Sequence, residues 1–100
     1  MKKLIGTVMV AALVAGAGQV MAGDAEAGKT KAMACAACHG VNGMSSNELW
    51  PNLAGQKAGY LAKQMKAFRD GTRSDPVMSG MAKPLSDQDI DDLAAYFSSL

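Results

Sequence analysis

The residues best suited to chemistry lie together in the segment "ACAACHGVNG", residues 34–43. It holds both cysteines of the chain and its only histidine, in the order C-x-x-C-H: Cys35, Cys38 and His39. Two thiols and an imidazole at this spacing could form a disulfide, bind a metal ion or hold a covalently attached haem. The remainder of the sequence has to distinguish these three chemistries.

Zinc binding and thiol–disulfide exchange are both poorly supported. A structural zinc site has four ligands, mostly nitrogen and sulfur, and this chain offers two cysteines and one histidine. A thioredoxin-like C-x-x-C belongs in a βαβ setting, whereas a helical pattern precedes Cys35 and no strand pattern is visible. C-x-x-C-H is the attachment motif of c-type haem. Two thiols at this spacing can bond to two neighbouring vinyl groups of the porphyrin, and the adjacent imidazole can reach the iron. We therefore expect one covalently bound haem c.

Residues 1–22 have the three parts of a secretory signal peptide. Lys2 and Lys3 form a basic start, residues 4–18 are uncharged and apolar or small, and Val20 and Ala22 suit positions −3 and −1 of a cleavage site. The apolar run is shorter than the roughly 20 residues of a membrane-spanning helix. An uncleaved N-terminal anchor is the alternative. We expect cleavage after Ala22, a periplasmic location and no stable membrane insertion of the mature chain.

The mature chain, residues 23–100, is predicted to be a single small domain. It has eight Lys and Arg against nine Asp and Glu, a net charge of −1, which argues against nucleic acid as a partner. A chain of this length buries only about 60–65% of its unfolded surface and usually needs a staple. A disulfide between Cys35 and Cys38 would close too short a loop to stabilise much. A large apolar cofactor is the better candidate.

The hydrophobic pattern predicts an all-α fold with three main helices and two long loops. The first helix is predicted from Asp24 to Ala34, with Asp24 as its N-cap. Gly28 within it suggests close contact with another element, since glycine is costly in a helix interior. The second helix is predicted from about Gly59 to Arg69, and the third begins after the cap Ser86. Their apolar faces consist of Leu61, Met65 and Phe68, and of Ile90, Leu93, Ala94 and Phe97.

His39 can supply one axial ligand to a haem iron, and the chain has no second histidine for the other. The methionines of the mature chain are Met33, Met44, Met65, Met78 and Met81. Met65 is expected to pack in the core. Met78 and Met81 lie between Pro76 and Pro84, in a loop that we expect to be extended because proline restricts the residue before it. From the residues alone, both stay open as the sixth ligand.

Five segments in this order resemble the class I c-type cytochromes over essentially the whole mature chain. They are "GDAEAGK", "CAACHG", "PNLAGQ", "VMSGMAKPLSDQDI" and "LAAYF". The closest likeness is to short bacterial monohaem members and to one half of the dihaem ones. The resemblance implies a small cytochrome c fold, with three main helices and long loops wrapped around one haem.

The resemblance also implies roles for particular residues. Cys35 and Cys38 correspond to the thioether positions and His39 to the proximal ligand, whose ring donates to the carbonyl of Pro51. Met78, rather than Met81, corresponds to the distal ligand. Gly28 and Tyr96 correspond to the crossing point of the first and last helices. Trp50 packs near the haem or its propionates, with a plain surface position as the equal alternative.

Histidine–methionine ligation closes the iron to substrate, so we expect a one-electron carrier and not an enzyme. Electrons are expected to pass at a haem edge surrounded by small or apolar residues: Ala36, Ala37, Val41, Gly43 and Met44. By resemblance, the donor would be a quinol-oxidising complex or a periplasmic dehydrogenase, and the acceptor a terminal oxidase, peroxidase or reductase. The alternatives are an electron-transfer subunit of a larger redox complex and a haem-based gas sensor.

Overall fold

The computed structural model describes residues 23–100. The predicted signal peptide, residues 1–22, lies outside the described residues. Helices and turns make up the described part, which contains no strand, so the all-α prediction is confirmed. None of the helices in residues 23–100 is long and apolar enough to cross a membrane. The elements are α1 (Ala25–Lys31), a 3₁₀ turn (Ala32–Cys35), α2 (Ala36–His39), α3 (Ala58–Asp70), α4 (Met78–Ala82) and α5 (Asp87–Ser98).

The first predicted helix is shorter than expected and ends in a tighter turn. The side chain of Asp24 accepts the amides of Glu26 and Ala27, as its N-cap role predicts. The α-helix stops at Lys31, and the chain continues as the 3₁₀ turn Ala32–Cys35. Tight turns of this kind are frequent at helix C-termini. Here the turn joins α1 to the short helix that carries the second cysteine and the histidine.

The two longer helices and their apolar faces are confirmed. α3 begins one residue earlier and ends one residue later than predicted, with Gly71 as its left-handed cap. Ser86 caps α5 and forms a full capping box with Asp89. The buried cluster at the centre consists of Ala32, Leu61, Leu93, Ala94 and Phe97, with Cys35, Leu53, Ala62, Met65, Leu85 and Tyr96 packed against it.

Helices α1 and α5 cross at Gly28, and the crossing is backbone against backbone. A Cβ atom added to Gly28 would overlap the carbonyl of Asp92 and would lie 2.8 Å from the Cβ of Tyr96. Real side chains do not tolerate such an approach, so only glycine fits here. This contact explains the glycine inside α1, and it confirms the predicted meeting of Gly28 with Tyr96.

A buried carboxylate reinforces the same crossing. Asp92, 3% exposed on α5, accepts the amide of Asp24 at 2.8 Å and the side-chain nitrogen of Gln88 at 2.8 Å through Oδ1. Its Oδ2 lies 2.7 Å from Nζ of Lys31, which also pairs with Asp89 at 2.8 Å. The pKa of Asp92 is lowered to about 2, and the hydrogen bond from Lys31 is the largest cause. The start and the end of α1 are thus both bonded to α5.

The segment between α3 and α5 is not the extended loop that was predicted, because Met78–Ala82 forms the helix α4. Pro76 precedes this helix, where its fixed φ and missing N–H are compatible with a helix start. Pro84 follows it, where proline commonly stops a helix. The two prolines therefore bracket a helix. Both Met78 and Met81 belong to it.

We expect Asp92→Asn to destabilise the fold by about 2 kcal/mol at neutral pH, because the ion pair with Lys31 is lost. A lowered folded-state pKa means that the stabilisation is complete above the ordinary carboxyl value of 3.8 and is lost as pH falls through about 2. The difference from wild type should therefore shrink between about pH 4 and pH 2. Denaturant unfolding of the two proteins across this range measures it.

Asp91→Asn is the matched control, since it removes the same charge one residue earlier and should change stability by less than about 1 kcal/mol. A stability difference between wild type and Asp92→Asn that stays constant down to pH 2 would contradict the assignment.

Candidate functional site

The C-x-x-C-H motif spans the joint between the 3₁₀ turn and α2. Cys35 ends the turn and is packed against the buried cluster, while Cys38 and His39 end the short helix Ala36–His39. Gly40 stops that helix with φ at 89°, and a Cβ there would overlap the carbonyl of Met44. Glycine is therefore required directly after the histidine. The two thiols and the imidazole are held by one compact helical segment that leads directly from the core.

His39 is the buried polar residue of the motif, with 7% of its surface exposed. Its Nδ1 lies 2.8 Å from the carbonyl oxygen of Pro51, so the contact predicted between these residues is present. A carbonyl can only accept, so Nδ1 carries the proton and donates. This leaves Nε2 as the unprotonated nitrogen that can bind a metal. A carbonyl partner of this kind fixes ring orientation and raises the basicity of the ligand.

The loop that presents the Pro51 carbonyl is closed by bonds across it. The amides of Leu53 and Ala54 donate to the carbonyl of Gly43, at 2.8 and 3.0 Å. Next to Pro51, the side chain of Asn52 accepts the amide of Ser45 at 2.6 Å. These bonds join residues 43–45 to residues 52–54, directly after Pro51. They hold Pro51 in a fixed position relative to α2.

The state of the two cysteines argues against a redox dithiol. Both thiols are free, and both side chains are half-buried. The pKa of the Cys35 thiol is raised, mainly by burial and to a smaller extent by the nearby Cys38. Reactive cysteines have lowered pKa values instead. Within residues 23–100, no group of three or more His, Cys, Asp and Glu side chains is arranged to hold a metal ion. Two thiols and one imidazole are the groups that a C-x-x-C-H motif uses to attach haem c.

The methionines differ in their surroundings. Met65 is packed against the buried cluster, as predicted, and Met33 and Met44 are 75% and 52% exposed. Within α4, Met78 is half-buried and Met81 is 42% exposed. Of the two candidates for the sixth ligand, Met78 is therefore the more enclosed.

Asp75 holds the amide of Met78 and was missed by the sequence analysis. Its Oδ2 accepts the amides of Val77 and Met78, at 2.9 and 2.8 Å. The two bonds lower the pKa of Asp75 below its ordinary value, and the bond from Met78 has the larger effect. The signal was available in the sequence, since aspartate followed by proline is typical of a helix start.

Trp50 lies in the same loop as Pro51 and is 41% exposed. Its amide donates to the carbonyl of Asn47 at 3.1 Å, which forms a turn just before Pro51. The exposed fraction is compatible with either predicted position, next to a cofactor or on the surface. Contact of Trp50 with a haem stays a prediction.

The comparisons with known proteins decide between the chemistries. Residues 25–100 match the family described as Cytochrome c. The chain belongs to the cytochrome c family. Members of this family carry haem c bound covalently through a C-x-x-C-H motif, which matches the arrangement of Cys35, Cys38 and His39. The expected class I monohaem type and small cytochrome c fold are confirmed.

Two relatives and one solved structure indicate the place of the chain within the cytochrome c family. Cytochrome c-554(548) of Halomonas halodenitrificans is 51% identical over 81 residues, which cover 78% of this chain and 98% of the relative. The crystal structure of reduced recombinant cytochrome c4 from Pseudomonas stutzeri superimposes with a TM-score of 0.74 at 49% identity, over 78% of this chain and 46% of the other. A protein of Thiomonas intermedia named thiosulfate dehydrogenase electron acceptor is 49% identical over 71 residues, or 70% of this chain and 33% of the relative.

This cytochrome c therefore spans nearly the whole of one relative and less than half of the two larger ones. It is similar to one half of a dihaem cytochrome c4. The covalent haem that the family implies fits the residues present. Cys35 and Cys38 are free and could form the two thioether bonds. The Nδ1 atom of the buried His39 is bonded to Pro51, so Nε2 is the nitrogen that could bind iron.

We expect Asn52→Ala in this cytochrome c to raise the reduction potential, because a loosened Pro51 carbonyl accepts less well from His39. A less basic imidazole stabilises the oxidised iron less. The loss of the bond to Ser45 should also lower stability by about 1 kcal/mol. Potentiometric titration and denaturant unfolding measure the two effects.

Asn42→Ala is the control, because Asn42 also accepts a backbone amide, that of Met44, at 3.1 Å. It should lower stability slightly and leave the potential unchanged. Equal potentials for wild type and both variants would show that Asn52 does not act on His39.

Proposed function

We propose that this chain is a periplasmic one-electron carrier with a single haem c. The haem is attached through Cys35 and Cys38, and its iron is bound by His39 and Met78. Residues 1–22 direct export and are removed after Ala22. The protein exchanges electrons with redox protein partners and is not itself an enzyme.

The observation that carries the proposal is the hydrogen bond from His39 to the Pro51 carbonyl, beside the two free thiols. A buried imidazole with its Nδ1 proton held by a carbonyl presents Nε2 as the nitrogen that can bind iron. The motif is thus arranged for a structural iron ligand.

Met78 is the sixth ligand that the chain best supports. The chain has one histidine, so a second imidazole is not available from it. Met78 is more enclosed than Met81, and its backbone is held by Asp75 at 2.8 Å. A haem bound in this way supplies a reversible one-electron change at an iron whose potential the methionine raises.

The residues of the chain then serve to keep the iron environment constant. His39 is fixed by Pro51, and Met78 by Asp75, so neither ligand has to move when the charge changes. With both axial positions filled, substrate has no place to bind at the iron. A fixed environment of this kind suits electron transfer, not catalysis on a bound molecule.

The surface next to the motif supports transient docking. Ala37 is exposed, Val41 is 85% exposed and Met44 is 52% exposed, so three uncharged side chains close to the motif in sequence are open to solvent. Redox encounters commonly use interfaces smaller than about 1,200 Å². We assign electron exchange with partner proteins to this surface.

An electron-transfer subunit of a larger complex is the second candidate. It is favoured by the 49% identity to a protein named thiosulfate dehydrogenase electron acceptor. A subunit would keep its partner through purification under native conditions and elute at the mass of the complex. A free carrier would elute alone.

Spectroscopy of methionine variants tests the ligand assignment. The ferric holoprotein should show the weak far-red band of iron–sulfur ligation, and the ferrous form should not react with carbon monoxide. Met78→Ala should abolish the band and open the iron to carbon monoxide, whereas Met81→Ala should retain both wild-type properties. Rapid binding of carbon monoxide by the wild type would contradict the carrier function and favour the gas sensor.

Val41→Glu should slow electron exchange with a protein partner by about tenfold, because it places an unpaired charge in the apolar contact. Exchange with a small inorganic oxidant should change much less. Thr30→Glu adds the same charge at an exposed position of α1 and serves as the control. Stopped-flow kinetics measure the rates, and equal rates for both variants with the protein partner would remove the docking role from this surface.

A further inference from the structure

The chain between α3 and α4 is fixed to α3 before it reaches Met78. The amide of Arg73 donates to the carbonyl of Ala67 at 3.1 Å. Its guanidinium lies 4.4 Å from the centroid of the Phe68 ring and donates to the side chain of Gln64 at 2.6 Å. A cation over an aromatic face and a charged hydrogen bond are both stabilising contacts. The segment that leads into α4 therefore starts from a fixed point.

Asp75 both accepts hydrogen bonds from and donates one to the residues at the start of α4 and directly before it. Its carboxylate accepts the amides of Val77 and Met78, and its carbonyl accepts the amide of Ser79 at 3.1 Å. In return, the amide of Asp75 donates to the hydroxyl of Ser79 at 3.0 Å. Pro76 has no amide hydrogen to place. The backbone amides of Val77, Met78 and Ser79 are thus all bonded to Asp75.

The far end of the same segment is closed by Arg69. Its guanidinium donates to the carbonyl of Leu85 at 3.2 Å and to the carboxylate of Asp87 at 2.8 Å. The segment between α3 and α5 is therefore bridged at its base. Within this closed segment, Asp75 is the residue bonded to the amide of Met78 itself.

We propose that Asp75 is a positioning residue for the axial methionine. Its carboxylate fixes the backbone of Met78, so that the thioether stays on the iron and exogenous ligands are kept out. This inference rests on the proposed ligation by Met78. An ordinary helix cap would contribute only to the stability of the fold, whereas a positioning residue also sets how often the methionine leaves the iron.

Cyanide binding to the ferric holoprotein separates these two roles, because cyanide reaches the iron only when the methionine has left. Asp75→Ala should bind cyanide about tenfold faster than wild type, a factor that corresponds to about 1.4 kcal/mol in the opening equilibrium. Asp75→Asn keeps one acceptor oxygen and should lie between the two. Ser79→Ala removes the return bond and should give a smaller increase than Asp75→Ala.

Asp24→Ala is the matched control. Asp24 also accepts two amides, those of Glu26 and Ala27, at the start of α1. Its loss should lower the unfolding midpoint about as much as that of Asp75, while cyanide binding stays within about twofold of wild type. Equal cyanide rates for Asp24→Ala and Asp75→Ala would overturn the positioning role. If Asp75→Ala does not yield holoprotein, Asp75→Asn and Ser79→Ala decide in the same way.

The far-red band of Met78→Ala distinguishes failure of this inference from failure of the ligand assignment. A band that survives in Met78→Ala shows that another residue is the ligand, and it overturns both. A band that is lost there, together with unchanged cyanide binding in Asp75→Ala, overturns the positioning role alone.

Discussion

The close approach of α1 and α5 at Gly28 is the contact on which the placement of the C-x-x-C-H segment depends. α1 passes through the 3₁₀ turn directly into α2, so the position of α1 on α5 also sets the position of the motif. The ion pair between Lys31 and the buried Asp92 fixes the C-terminal end of α1, one residue before the turn begins. The contacts of α1 with α5 thus fix the position of the two cysteines and the histidine relative to the core.

The two proposed iron ligands are positioned by the same physical device. In each case an oxygen atom accepts a hydrogen bond from the ligand residue itself. Pro51 accepts from the ring of His39, and Asp75 accepts from the amide of Met78. Loops are ordinarily the mobile parts of a fold, and these bonds tie the loop residues Pro51 and Asp75 to the short helices α2 and α4. The proposed ligation would therefore need little rearrangement on oxidation and reduction.

The sequence was sufficient for features whose cause is local. The Ser86 cap and the apolar faces follow from patterns within a few residues. The glycine inside α1 indicated a close contact, but its partner on α5 came only from the resemblance to the c-type cytochromes. The tightening over Ala32–Cys35 was not predictable, because its alanine, methionine and cysteine residues contain no helix breaker and packing on the core decides the outcome. The prediction of an extended loop between Pro76 and Pro84 was wrong. Pro76 was taken as a sign of extended chain, whereas it precedes the helix α4, whose first amide is bonded to the carboxylate of Asp75.

The contact between α1 and α5 joins residues far apart along the chain. The bonds from Asp24 and Lys31 to Asp92 span 68 and 61 positions. A chain that leaves the ribosome or crosses a membrane N-terminus first presents its cysteines well before α5 arrives to cover α1. Until then α1, with seven residues, is too short to be stable alone, so both thiols stay accessible to the covalent modification that the family implies. The order of synthesis thus separates modification from final packing.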